Sequence, residues 1–360
     1  MKNLIPVNLK SQKYNILISQ SENDFLKNLK KVTATTTFFI ITDKNVKKLH
    51  LKYLSNLLKQ RSNDSKVSVK TAVISAGETG KNIKKLSFLY NKALKESIDR
   101  NSCVIALGGG VIGDIAGFFA ATYMRGIDFI QVPTTLLAMI DSSIGGKTAV
   151  NITKCKNIVG VFYQPKLVWI NICFLITLPS QHIKNGFAEA IKYALIFDRK
   201  FYTYLKKELI NGFIKDFDYI IYKCCFYKVQ VVKKDEKEIS GVRTTLNFGH
   251  TFAHALEAYT SYKKFLHGEA VIFGMLFASL VSLKLKLCSK KTFKEVKQIL
   301  TLLDFKLNVK INTRQLLNLM KKDKKTTSGN INLVLIFKIG KVKSVSVRDD
   351  IILNVLKNWS

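Results

Sequence analysis

Residues 103–124 read CVIALGGGVIGDIAGFFAATYM, an apolar strand-length run that passes straight into a glycine-rich turn and then a helix-length stretch. The order is restrictive. A five-residue apolar run between Ser102 and a glycine triplet reads as a buried strand. Gly108, Gly110 and Gly113 then satisfy G-x-G-x-x-G at a strand-to-helix junction, where helix N-terminal amides can hold a pyrophosphate. Taken alone, the pattern also fits a tight βα turn whose glycines serve packing. No acidic residue stands about twenty positions on at a clear strand end, so the dinucleotide fingerprint is incomplete by itself. The stretch is apolar enough to raise a membrane span, but it holds five glycines and Asp114. An aspartate at mid-membrane costs roughly 2.5–3.5 kcal/mol, which rejects that option.

Around this junction the first half alternates. Residues 14–19, 36–42, 67–75 and 102–107 read as strands, and 45–59, 82–96 and 112–123 as helices, the pattern of a mostly parallel sheet wound with helices. From Pro179 onward the apolar period changes to 3.6, with helical patterns over 183–195, 201–232, 248–259, 268–287 and 294–303. A last run, 330–347, is rich in Val and Ile about Gly340 and predicts a small hairpin. The expected class is α/β, with a Rossmann-like nucleotide-binding domain over residues 1–179 and a mainly α-helical domain over 180–360.

Composition excludes several functions. With 360 residues and 47% apolar content the chain is neither a peptide-sized module nor disordered. Its 58 basic against 25 acidic residues give a net charge of +33, which first suggests a polyanion. The excess is nearly all lysine, scattered in ones and twos among Asn, Ile, Phe and Tyr. That is the drift of an AT-rich genome, not the clustered arginine and stacking aromatics of a nucleic-acid binder. It still predicts a cationic surface that attracts phosphorylated small molecules. The six cysteines show no C-x-x-C spacing, the N-terminal residues have no unbroken apolar run, and a reduced, cytoplasmic protein is expected.

Polar residues gather in four further places. Gly77-Glu78-Thr79-Gly80-Lys81 is a second phosphate-compatible strand-to-helix turn. QVPTTLLAMIDSSIGGKT, 131–148, mixes Thr134, Thr135, Asp141 and Lys147 with apolar residues. Glu189 and Lys192 stand three apart in GFAEAIKYAL, on one helical face, an arrangement otherwise typical of a surface ion pair. His250 and His254 stand four apart in LNFGHTFAHALEA, and His267 follows in HGEAVIFGM. Two histidines and a carboxylate would leave positions open on Zn²⁺, as at a catalytic site. A lone histidine on an apolar helix is more often a core residue, and Thr251 stands where a zincin would have glutamate.

Together the stretches GETGK, ALGGGVIGDIAGFFAATYMRG, QVPTTLLAMIDSSIGGKTAVN, KNIVGVFYQP, FLITLP, GFAEAIKYALI, DEKEISGVRTTLNFGHTFAHALEA, HGEAVIFGM and MKKDKK, in this order from Asp43 to Asp323, resemble the 3-dehydroquinate synthase family of sugar-phosphate cyclases. The resemblance implies a lyase that uses NAD and Zn²⁺, with Co²⁺ as an alternative metal. It would convert 3-deoxy-D-arabino-heptulosonate 7-phosphate to 3-dehydroquinate and phosphate, in the shikimate pathway to chorismate and the aromatic amino acids. The steps implied are transient oxidation, phosphate elimination, re-reduction, ring opening and aldol closure. A homodimer with no nucleic-acid or membrane partner is implied as well.

Residue by residue, the resemblance makes Glu189, His250 and His267 the metal ligands and His254 the proton-transfer histidine. Asp141 and Lys147 would hold the reacting hydroxyls. Lys147, Asn157, Lys192 and Arg125 would surround the phosphate, with Lys324 or Lys325 completing the pocket. Lys228, Arg243 and Asn247 would grip the substrate carboxylate, supported by Glu238. NAD contacts would come from Asp43, Gly77, Glu78, Lys81, Gly109, Gly110, Val111, Ile112, Gly113 and Asp114, and from Thr134, Thr135, Lys147, Lys156, Phe174, Thr177 and Leu178. Two positions depart from the family pattern: DEKEISGVR is one residue longer before its glycine, which bears on where Glu238 falls, and Ala253 stands where glycine is usual. A cyclase acting on another heptulose phosphate, and a metal-dependent alcohol or glycerol-phosphate dehydrogenase, are the rival readings; the carboxylate-binding residues argue against both.

Overall fold

The computed structural model describes residues 4–60, 67–152, 155–212, 214–307, 309–323 and 330–357. Its contacts divide the chain into two compact units, Met1–Ile183 with Lys228–Lys237, and Lys184–Tyr227 with Glu238–Ser360. The sequence boundary puts Lys228–Lys237 in the second domain; by contacts this segment groups with the first unit.

The first unit runs β1 (Leu4–Asn8), β2 (Lys13–Ile18), α1 (Glu22–Val32), β3 (Thr37–Asp43) and α2 (Lys44–Val46), which leads through one π-helical turn into α3 (Lys52–Lys59). β4 (Ser68–Ile74), α4 (Ile83–Lys95), β5 (Cys103–Gly108), α5 (Gly110–Thr122), β6 (Asp128–Pro133), β7 (Lys147–Ile152), β8 (Cys155–Phe162) and β9 (Leu167–Ile170) follow. The four predicted strands are β2 to β5, each within one residue at either end.

Seven strands form one sheet in the order β1-β2-β9-β6-β5-β3-β4, parallel except for the β1–β2 hairpin. Burial on both faces explains the unbroken apolar runs of its centre. Phe39, Ile41, Val104 and Ala106 pack with Ile112, Ile115, Ala116 and Phe119 of α5. Their alternates Phe38, Ile40, Cys103 and Ile105 are equally buried. β1 lies at the sheet edge, where Pro6 costs no ladder bond. β7 and β8 pair separately as an antiparallel hairpin. Between β6 and β7 the polar stretch forms one π-helical turn, Ala138–Ser142.

From β3 the chain runs outward to β4 and then returns to β5 on the other side of β3. The carboxyl ends of β3 and β5 are therefore the switch point of the sheet, where open α/β folds place their ligands. Asp43 ends β3 and the Gly108–Gly110 turn follows β5.

The helical second half contains α6 (Ser180–Phe197), α7 (Arg199–Ile210), α8 (Phe217–Lys234), α9 (His250–Tyr259), α10 (His267–Lys284), α11 (Lys290–Thr301) and α12 (Thr313–Asp323), then the hairpin β10 (Asn330–Lys338)–β11 (Lys341–Arg348) and α13 (Asp349–Lys357). The helix predicted over 201–232 is two helices. Gly212, at φ +68°, takes the chain out of α7, and the Asp216 carboxylate accepts from the Tyr219 amide at the start of α8. Asp198 separates α6 from α7 by accepting from the Lys200 and Phe201 amides at 2.7 and 3.1 Å. Its second oxygen accepts from Lys223 at 2.7 Å and from the Tyr227 hydroxyl, tying α7 to α8. Among the described residues one helix, α10, is long and apolar enough to cross a membrane, but 67% of it is buried, as for a core helix. Ser282 on α10 accepts from Ile336 N, holding β10 against it.

Candidate metal centre and nucleotide-binding turns

Two close helix contacts in the second unit build the histidine cluster. Gly268, next to His267, lies so near α6 that a β-carbon there would fall 2.2 Å from the Asn185 carbonyl oxygen; its amide donates to Asn185 Oδ1 at 2.6 Å. Glu189 sits one helical turn beyond Asn185. Gly249, at φ +85°, caps α9 just before His250 and passes Gly274 of α10 with no room for a side chain on either. Each ligand candidate thus neighbours a point where two helices nearly touch.

The result is a compact donor set. His250 Nε2 and His267 Nε2 lie 3.6 and 3.8 Å from Glu189 Oε1. Ligands about 2.1 Å from a tetrahedral zinc stand roughly 3.4 Å apart, so the three atoms are spaced as one ion requires. Both imidazoles are held from behind. His250 Nδ1 faces the Phe248 carbonyl at 3.3 Å, and His267 Nδ1 faces Glu257 Oε2 at 3.4 Å. The second contact was not legible as such in the sequence; its only signal is that Glu257 stands seven residues past His250 on the same helical face.

Glu189 is fully buried, and neither of its oxygens receives a hydrogen bond among the described residues. Lys192, itself 2% exposed, forms an ion pair with Oε2 without hydrogen-bond alignment. This is no surface pair: a buried carboxylate short of donors is costly unless a cation completes its shell. Burial, then the charges of Lys192, His267 and His254, hold His250 well below its ordinary pKa, so its ring is the neutral form that a metal needs. Burial also opposes charge on His267, but the Glu257 carboxylate outweighs it and raises the value. The donor set and the unsatisfied carboxylate fit a divalent metal. His254 completes the group, its ring centroid 5.5 Å from that of His250 and 6.1 Å from that of His267.

Elsewhere in this unit Arg243 is 3% exposed, and its Nε lies 3.3 Å from Glu238 Oε1. Glu238 takes a left-handed backbone, φ +57°, Ile239 stands 83% exposed, and the acid reaches its arginine. Asn247 ends the following 3₁₀ turn, half-buried.

In the first unit Lys81 is 3% exposed and gathers the second turn. Its Nζ donates to Asp114 Oδ2 at 2.8 Å and to Asn157 Oδ1 at 2.6 Å, and lies 3.2 Å from Glu78. Asn151 donates to Glu78 at 2.9 Å. Burial raises the Asp114 carboxyl above its usual value despite Lys81, while Lys81 and Asn151 overcome burial to lower Glu78. Asn157, expected at the phosphate, is thus drawn to residues expected at NAD.

The α5 turn has the shape of a cradle. Gly109 caps the helix with no side-chain hydrogen bond, Val111, Ile112 and Gly113 form its first turn, and a β-carbon on Gly110 would fall 2.8 Å from Ser142 Oγ. Thr134 Oγ1 is buried and has no partner among the described residues, whereas Thr135 accepts from Ala138 N. Asp43 caps α2 through the Asn45 and Val46 amides. Asp43, at the end of β3 beside β5, is the acid that the resemblance assigns to NAD. The N-terminus of α5, an unsatisfied hydroxyl and this carboxylate fit a dinucleotide. Phe174 and Thr177 lie at His50, at 4.7 Å between rings and 2.9 Å from Oγ1 to Nε2, and Leu178 ends that turn.

Lys228 donates to Asp141 twice, to its carbonyl at 2.7 Å and to Oδ1 at 2.6 Å. Residues expected to hold different parts of the substrate are thus one pair. Lys147 opens β7, Lys156 lies in β8, Gly77 has φ +78°, and Arg125 is exposed with φ +65°. Lys324 and Lys325 lie outside the described residues.

Comparison with known proteins gives a consistent result. The family profile described as 3-dehydroquinate synthase N-terminal matches residues 71–185, and that described as 3-dehydroquinate synthase C-terminal matches residues 186–326. A 3-dehydroquinate synthase of Endomicrobium trichonymphae is 66% identical, covering 100% of this chain and 99% of the relative. Among solved structures, a 2-deoxy-scyllo-inosose synthase complexed with carbaglucose-6-phosphate, NAD⁺ and Co²⁺ shares the fold at TM-score 0.87 and 23% identity, over 99% of both chains. ValA, the 2-epi-5-epi-valiolone synthase of Streptomyces hygroscopicus subsp. jinggangensis 5008, solved with NAD⁺ and Zn²⁺ bound, superposes at TM-score 0.86 and 26% identity, over 98% of both.

Proposed function

Because the chain belongs to the 3-dehydroquinate synthase family, we propose that it converts 3-deoxy-D-arabino-heptulosonate 7-phosphate into 3-dehydroquinate and phosphate, the second step of the shikimate pathway. The observation that carries this reading is the constellation of buried Glu189 with half-buried His250 and His267, and Lys192 beside it. Those three residues would hold Zn²⁺ or Co²⁺, and the α5 turn with Asp43, Glu78, Lys81, Asp114 and Thr134 would hold NAD. When bound, the metal supplies polarisation of a substrate hydroxyl, and NAD supplies a hydride acceptor that returns what it takes.

The chain's own groups do the rest. His254, one turn past His250, moves the proton of the reacting hydroxyl. Asp141 orients the hydroxyls, and Lys228 fixes its carboxylate. Lys192 faces the departing phosphate from a buried position, where water dilutes its charge little. Lys147, Arg125 and Asn157 complete the phosphate contacts. Lys228, Arg243 and Asn247 hold the substrate carboxylate, and Glu238 holds Arg243 in place. An arginine buried at such a position is poorly suited to the uncharged end of a related heptulose phosphate, which favours the acid as substrate. We place the enzyme in the cytoplasm as a homodimer without nucleic-acid or membrane partners. The scattered lysines and the mostly buried α10 support the last two points.

The test is phosphate release by the purified full chain with the heptulosonate phosphate, catalytic NAD⁺ and Zn²⁺, while absorbance for NADH is followed. Phosphate without net NADH is expected. NADH accumulating in proportion to substrate would mean a plain dehydrogenase, and neither product would mean another cyclase substrate.

A further inference from the structure

We propose that Glu257 is the positioning residue of the metal centre, a buried carboxylate that fixes the tautomer and orientation of His267. The inference rests on the metal reading of the site and goes beyond it, to what makes His267 a ligand. Glu257 is 5% exposed, and its Oε2 faces His267 Nδ1 at 3.4 Å. A carboxylate at that nitrogen accepts Nδ1–H, which leaves the Nε2 lone pair directed to the Glu189 side of the ring, where Nε2 lies 3.8 Å from Oε1.

The two histidine ligands are held differently. His250 Nδ1 meets the neutral carbonyl of Phe248, two residues back across the left-handed Gly249. His267 meets a full charge, which makes its ring the more basic donor. Chain position adds a reason. His267 opens α10, where the ring has no preceding helical turn to pack against, and Leu266 N is already taken by Glu269. Orientation must therefore come from a neighbouring helix, and Glu257 on α9 supplies it. His254 belongs to the same cluster: one nitrogen of each of His254 and His267 and one Glu257 oxygen lie within 4.8 Å of one another. Glu257 therefore also sits within reach of the histidine assigned to proton transfer.

The test is metal affinity, which does not depend on turnover. Metal-stripped full-length protein is titrated with Zn²⁺ against a chromophoric chelator, and with Co²⁺ followed by its d–d absorption. The parent should bind one equivalent. Glu257→Ala should weaken binding about 10- to 100-fold and change the Co²⁺ spectrum. Glu257→Gln, whose amide oxygen still accepts Nδ1–H, should lose clearly less, and NAD affinity should hold in both. Glu257→Ala binding zinc within twofold of the parent would overturn the proposal, as would loss of NAD affinity alongside metal in both variants. A second equivalent in the parent that disappears in Glu257→Ala would also overturn it, by making Glu257 a ligand. Should Glu257→Ala fail to fold, ¹⁵N spectra of the parent's histidines decide: an Nδ1–H tautomer at His267 is expected, and an Nε2–H tautomer overturns the role. A parent that binds no zinc brings down the metal reading itself, an outcome distinct from all of these.

Discussion

A β-carbon added to Gly274 would fall 1.9 Å from the carbonyl oxygen of Gly249, so α10 and the start of α9 touch backbone to backbone immediately before His250. Gly274→Ala should therefore push the two helices apart. Overpacking of this kind costs about 1–3 kcal/mol, and more where the opposing atom is backbone. The expected outcome is a fall of several degrees in Tm together with weaker Zn²⁺ binding, read by calorimetry and chelator competition. An unchanged metal affinity would show that His250 does not take its position from this contact.

Glu189→Ala or His250→Ala should empty the metal site and abolish turnover, and chelation of the parent should do the same. Phosphate release and bound-metal analysis check this together. Full activity without metal, in parent or variants, would remove the assignment.

Lys192→Met should be more disruptive than its size suggests. It strips the Lys192 ammonium from a fully buried Glu189 in the metal-free protein. Removing one partner of a buried pair costs about 3–5 kcal/mol. Chemical denaturation without metal should reveal the loss, and saturating Zn²⁺ should recover part of it by satisfying the carboxylate and stabilising the folded state. Equal losses with and without zinc would mean that the ion does not reach Glu189.

Arg243→Ala should raise KM for the heptulosonate phosphate strongly and leave NAD affinity in place. Steady-state kinetics with a separate NAD titration resolve the two. The reverse result would reassign Arg243 to the cofactor.

Asp198 gives a pH dependence far from the chemistry. Burial alone would raise its carboxyl, but hydrogen bonds from Lys223, Tyr227 and the Phe201 and Lys200 amides pull it well below the usual range. A folded value below the unfolded one, about 3.9, stabilises the protein above that pH and loses the contribution as pH falls through the folded value. Asp198→Asn should therefore lower the urea midpoint at pH 6, and the gap to the parent should narrow toward pH 3.

β3 and β5 were legible because burial on both faces leaves them as unbroken apolar runs; β6, whose run is broken by Gln131, and the four-residue β9, although parallel and buried, were not. β1, at the sheet edge with Pro6, and the β7–β8 hairpin lack that signature and were not picked out from periodicity. The break at Gly212 was missed because apolar residues keep helical spacing on both sides of it. At the site, Glu189 with Lys192 and His250 with His254 stood out by spacing alone. Glu257 did not, since a glutamate on a helix reads as a solvent face until its burial is known. Lys81 and Asp114, separated by 33 positions, could be joined only by the fold.

The turn at Glu238 and Ile239, with its left-handed Glu238, has a practical side. Ile239 stands 83% exposed, next to Glu238, whose carboxylate lies 3.3 Å from Arg243, so a side chain at 239 can be exchanged without touching that pair. Ile239 is accordingly a tolerant attachment point four positions from Arg243. An environment-sensitive dye on a cysteine placed there would report substrate arrival through the loop without blocking the arginine it is meant to watch.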